Sequence, residues 1–201
     1  MRRLLSLILC AGALATGCSR SDERAPTASN RAAEPRTEDG GPAVDVETMA
    51  FLSEARALHH EANVKEEADD VRGAIAIVRR IVEARRPHRG SRVPEIEEVL
   101  ADAWARIGEL ELRAGDPERA ASAAREGLGH AEAPTYFRGH LLEVQGIAEE
   151  TRASLLADAG NKPGAAKARA AAMALLEEAV TVQDRVIGEA LDAGPGEGGR
   201  P

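Results

Sequence analysis

Aromatic side chains are nearly absent. The 201 residues hold one Trp, one Tyr and two Phe, 2% of the chain. Four rings cannot build the stacking platforms on which single-stranded nucleic acid is held. Their scarcity also disfavours a sheet, because strands draw on aromatic and β-branched residues, whereas alanine supplies much of the apolar fraction here. Cysteine is equally sparse. Cys10 and Cys18 cannot make a disulfide framework. An excess of positive charge is missing too: 26 Lys and Arg stand against 34 Asp and Glu, a formal net charge of −8. That balance leaves no electrostatic footprint for a phosphate backbone, and nucleic acid is not an expected partner.

The first residues read as an address rather than as structure. Arg2 and Arg3 precede an apolar run from Leu4 to Ala15, too short to span a bilayer and of signal-peptide length. The run ends in Ala15-Thr16-Gly17-Cys18. This pattern resembles the lipobox of bacterial lipoproteins, in which small residues precede a cysteine that is acylated and becomes the first residue. Ala15 departs from the leucine commoner three places before the cysteine. The resemblance implies a signal peptide over 1–17 and lipidation at Cys18. Cleavage there would remove two arginines and make the chain two charges more acidic. Ser19, not Asp, follows Cys18, which by the same resemblance implies the outer membrane, with the protein facing the periplasm. Attachment then lies in the lipid, since an acidic body is repelled by anionic headgroups.

Residues 18–44 continue with Ser, Pro, Gly and charge and almost no large apolar side chain. Such a segment cannot bury enough surface to offset its chain entropy, so a disordered tether is expected, with a mean span of about 28 Å as a flexible coil. Residues 193–201, rich in Gly and Pro, read as a disordered tail.

Between these lies a body, 45–192, with helical periodicity throughout. Six helices are expected, at about 46–67, 71–86, 94–114, 117–128, 136–159 and 163–191. Their inward residues are Phe51, Ala55, Leu58 and Ala62; then Val71, Ala74, Ile75, Val78, Ile81 and Val82; then Ile96, Leu100, Ala103, Trp104, Ile107 and Leu110. Ala120, Ala121, Ala124 and Leu128 follow, then Phe137, Leu141, Val144, Ala148 and Leu155. The last helix offers Ala165, Ala168, Ala172, Leu176, Ala179, Val182 and Val186. Asp70, Asp116 and Asn161 are suited to cap helices, Pro94 and Pro117 to open them, and Gly115 and Gly160 to end them. Tight turns after the first, third and fifth helices predict three antiparallel hairpins. Ala74, Ala120 and Ala166 recur at a spacing of 46, a period that signals stacked helical hairpins.

The middle hairpin, WARIGELELRAGDPERAASAAREGL over 104–128, resembles a tetratricopeptide repeat. Trp104, Ile107 and Gly108 match its first helix, Gly115, Asp116 and Pro117 its turn, and Ala120, Ala124, Gly127 and Leu128 its second helix. Gly108 and Ala120 are small where two backbones are expected to cross, and Trp104 is expected between neighbours. Glu111 stands where the family usually places a large apolar residue. The first hairpin matches loosely, and the third carries about two extra helical turns between Gly146 and Gly160. The resemblance implies an all-α fold of three stacked hairpins with lengthened helices.

No nucleophile elbow, phosphate loop or HExxH motif is present, so the reading is not an enzyme, and no cofactor or metal is assigned. His59 and His60 point about 100° apart on a helix and do not face one metal together. Paired carboxylates such as Glu66/Glu67 and Glu177/Glu178 read as solvated helix faces. Binding residues are expected in two places. Tyr136, Phe137, Arg138 and His140 cluster at the start of the fifth helix, where one ring can face the core while the other points elsewhere. Arg106, Glu109, Arg113, His140, Glu143 and Gln145 are placed on the inner surface of the stacked first helices, which in repeat proteins often receives an extended peptide. The expected function is a lipid-anchored scaffold binding a protein partner in envelope, secretion or pilus assembly. The alternative is a lipoprotein holding a small molecule or metal between hairpins, favoured by an apolar cavity at Trp104 and Phe137 with His140 or Arg138 converging on it.

Overall fold

The computed structural model describes residues 45–88 and 91–192. The signal segment 1–17, Cys18, the tether to 44 and the tail 193–201 lie outside the described residues. Within them the regular structure is all helical: α1 (Val46–Glu67), α2 (Val71–Glu83), α3 (Pro94–Arg113), α4 (Pro117–Leu128), α5 (Tyr136–Asp158) and α6 (Lys162–Asp192).

Three tight turns share one construction. Asp69, Gly115 and Gly160 each take a left-handed backbone, at φ 58°, 79° and 77°. The next residue, Asp70, Asp116 or Asn161, donates its N–H back to Lys65, Glu111 or Leu156 at 2.8–2.9 Å. The same residue then caps the following helix. Asp70 accepts from the Gly73 N–H, Asp116 from Arg119 and Asn161 from Gly164. Orphan carbonyls of one helix and orphan amides of the next are thus satisfied within a few residues. The caps lie 46 and then 45 residues apart. Four residues beyond each cap sits a fully buried alanine: Ala74, Ala120 and Ala165. Ala166, expected at this position, is exposed, because the third turn is one residue earlier than a strict repeat of 46.

Small residues set how closely helices approach. A Cβ on Gly108 would lie 2.6 Å from Val144 and 3.4 Å from the Ala120 carbonyl. Gly146 is built alike: its Cβ would meet Leu176 at 2.8 Å and the Ala172 carbonyl at 3.4 Å. The expected crossing at Gly108 and Ala120 is therefore present, and α5 joins it through Val144. The largest core cluster combines Leu58, Ile75, Val78 and Ile81 with Ile107 and Leu110, so α1, α2 and α3 share it. A second cluster, of Ala101, Ala105, Ala124, Leu141 and Val144, links α3, α4 and α5. Trp104 packs against both clusters but is half-buried, not fully enclosed. Helix α3 is central, packed on α1, α2, α4 and α5.

Several expectations need correction. Helix α2 ends at Glu83, three residues early; Ala84 turns extended (ψ 151°), and Pro87, itself buried, disfavours helical backbone at Arg86. Leu155 is exposed although it lies on the Ala148 face. Ala148 packs on Ala120 and Ala121 near the start of α4, and α5 runs nearly three turns past that point. Phe137, Leu176 and Val186 are half-buried, not enclosed.

Candidate functional site

Helices α1, α3 and α5 present a polar groove of about 520 Å³. Its walls are regular helical stripes. His59, Asn63 and Glu66 come from α1 at i, i+4 and i+7. Asp102, Arg106, Glu109 and Arg113 come from α3 at i, i+4, i+7 and i+11, and His140 comes from α5. Leu110 and Leu112 supply apolar lining.

Arg106 ties the first two helices together. Its guanidinium donates to the His59 carbonyl at 3.1 Å, to Asn63 Oδ1 at 2.5 Å and to Glu66 Oε1 at 2.5 Å; it also sits 3.0 Å from His59 Nδ1. Arg113 pairs with the other oxygen of Glu66. One carboxylate therefore bridges two arginines, and the trio keeps one net positive charge. Burial alone would raise the Glu66 pKa, but hydrogen bonds and charge from Arg106 and Arg113 outweigh it and hold the carboxyl below its ordinary value.

The two histidines are driven in opposite directions. Burial pushes His59 below its ordinary pKa; Asp102, 3.6 Å from Nε2, opposes this, and Arg106 adds to it. His140 is pushed up, first by its 2.9 Å hydrogen bond to Glu109, against a burial cost, with further help from the charges of Glu109, Glu143 and Asp102. Nδ1 of His140 is buried without a hydrogen-bond partner among the described residues.

Of the residues expected to bind, Arg106, Glu109, Arg113 and His140 line this one groove. Glu143 adjoins it through its charge on His140, and Tyr136 lies with its ring 5.9 Å from the His140 ring. Tyr136 is exposed while Phe137 packs on the core, edge-on to Tyr136 at 5.6 Å. Arg138 points elsewhere: it donates to the Ala131 carbonyl at 3.3 Å and to Glu178 on α6 at 3.0 Å. Gln145 is half-buried and does not line the groove. Sequence reasoning missed Glu66, His59, Asn63 and Asp102. The i, i+4, i+7 recurrence of polar residues on α1 was the available signal.

A second cluster was also missed. Glu111 is 1% exposed and receives Arg72 at 2.6 Å and Arg79 at 3.3 Å, both from α2. This explains its departure from an apolar pattern: it fastens α3 to α2. At the start of α3, Glu97 accepts from His130 at 2.7 Å.

Among the described residues no three metal-ligating side chains converge, and no helix is long and apolar enough to cross a membrane. No family model, curated protein or solved structure matches this chain.

Proposed function

We propose that this protein is a lipid-anchored scaffold, held through Cys18 at the outer membrane and facing the periplasm, that binds a protein partner in the groove of α1, α3 and α5. The six helices form three stacked antiparallel hairpins of tetratricopeptide-like kind with lengthened helices. Support for the stack comes from the three equivalent turns and the matching crossings at Gly108 and Gly146. The observation that carries the binding reading is the groove itself. Arg106, Glu109, Arg113 and His140 share it with His59, Asn63, Glu66 and Asp102, an open polar face suited to an extended peptide. Assistance to envelope, secretion or pilus assembly is the setting that the anchor and a client-binding groove suit together.

The test is recovery of partners from membranes with the anchored protein, compared with a Glu109→Lys/Glu143→Lys variant. Both residues are exposed, and because Glu109 gives up its hydrogen bond to His140, melting curves of the two proteins accompany the comparison. A protein recovered with the wild type and lost with the variant supports the reading. Recovery of the same proteins by both overturns the groove as the binding face. A Cys18→Ser protein that still fractionates with membranes overturns the anchor.

A further inference from the structure

Helix α6 carries an apolar strip that nothing among the described residues covers. Met173, Val180 and Ile187 are spaced by seven residues and are 63%, 56% and 57% exposed; Leu191 continues the strip at 75%. Residues seven apart drift only about 20° around a helix, so the four side chains share one face over 18 residues, about 27 Å. The buried face of α6 is a different one, made of Ala165, Ala168, Ala172 and Ala179. Gly146 against Ala172 and Leu176, and Gly139 against Ala179 and Gln183, set the register of α5 on α6. In that register Ile147, 39% exposed, lies level with Met173 and widens the apolar surface. Single exposed apolar residues are ordinary; three at heptad spacing, with a fourth one turn further on, make a continuous strip on which a helix can dock.

Charge states what the seam accepts. Glu177 and Asp184 lie four residues after Met173 and Val180, along one border of the strip. Both are exposed, and neither has an ion-pair partner among the described residues. Arg169 stands at the end of the strip beyond Met173. A second copy of this chain fits poorly. Antiparallel self-pairing centred on Val180 would stack Met173 on Ile187 but set Glu177 beside Asp184 of the other copy, twice, in a chain already carrying −8.

We propose that this strip is a docking site for an amphipathic helix of another protein, about five turns long, with a heptad apolar seam flanked by Lys or Arg. Its α6 residues are not those of the groove of α1, α3 and α5, although Ile147 shares a face of α5 with His140 and Glu143, and the peptide test reads α6 alone.

Two synthetic three-heptad peptides test this, both with Leu at the seam, one with Lys flanks and one with Glu flanks. Fluorescence anisotropy with the full chain reads their binding. The Lys-flanked peptide is expected to bind at least tenfold more tightly. Val180→Ser/Ile187→Ser should weaken it about tenfold, and Glu177→Gln/Asp184→Asn should abolish the preference for Lys. Equal binding of both peptides, or binding unchanged in the Ser variant, overturns the proposal. Sedimentation showing a wild-type dimer that the Ser variant abolishes also overturns it, making a second copy the occupant. The Gln/Asn variant alters only exposed polar groups and serves as the test should the Ser variant fold poorly.

Discussion

Glu111 shows how one side chain can break a pattern and still serve it. A carboxylate at 1% exposure is costly to desolvate, and Arg72 and Arg79 offset that cost from α2. Truncation and replacement should therefore differ in sign. Glu111→Ala removes two charge-assisted bonds and leaves a void, and is expected to cost about 2–4 kcal/mol in chemical denaturation. Glu111→Leu restores an apolar residue of similar volume while Arg72 and Arg79, both substantially exposed, turn to water. It should be neutral or stabilising by about 1 kcal/mol. In the groove, His140 has its folded pKa raised above the ordinary value, so its contribution to stability is complete below about pH 6.5 and is lost as pH rises through the raised value. His59, lowered by burial, contributes above about pH 6.5 and loses that contribution as pH falls through its lowered value. Melting curves of His140→Gln should match the wild type at pH 8 more closely than at pH 5.5, and those of His59→Gln should do the reverse. None of this was legible in the sequence beyond the residue types, because burial of Glu111 and the rise at His140 depend on side chains 31 to 39 positions away.

At the scale of elements, helix starts were readable and helix ends less so. Asp70, Asp116 and Asn161 act locally, on amides three residues ahead, and local chemistry survives reading without a fold. The early end of α2 comes instead with the extended backbone at Ala84, ahead of Pro87, and exposure of Leu155 from where α4 begins; neither is written in the helix concerned. The turn at Asp69 departs from its two counterparts, which use glycine at the same left-handed position. A residue with a Cβ is strained there. Asp69→Gly is expected to stabilise the protein by about 0.5–1 kcal/mol, as a rise in melting temperature, because relief of strain exceeds the added chain entropy. An unchanged or lower melting temperature would show that Asp69 makes a compensating contact. In the groove, the stripe on α3 and its facing residue on α5 were legible as helical spacing, whereas Arg138, two residues from His140, was misplaced because a step of two turns a helical side chain to another face.

At the scale of the molecule, Trp104 joins the two largest clusters of apolar side chains, so its removal should be felt on both sides of α3. Because it is half-buried, Trp104→Ala is expected to cost about 2–3 kcal/mol, less than the 3–5 typical of an enclosed aromatic. Denaturation of the 45–192 body would measure it, and no loss would remove Trp104 from its joining role. Helix order followed from apolar periodicity and turn residues, and the all-α class and the small-residue crossings from a wealth of alanine and glycine, which let backbones approach where large side chains would hold them apart. The position of α6 has a further consequence. Among the described residues no helix other than α5 brings its backbone within 8 Å of α6, while α3 has four such neighbours. Cohesion is therefore graded along the chain. Amide protons of α6 should exchange with solvent through openings that leave α1 to α4 intact, at a free energy below that of global unfolding. The longest helix is thus held to the body through a single neighbour, and the strip it exposes rides on whatever motion α5 allows it.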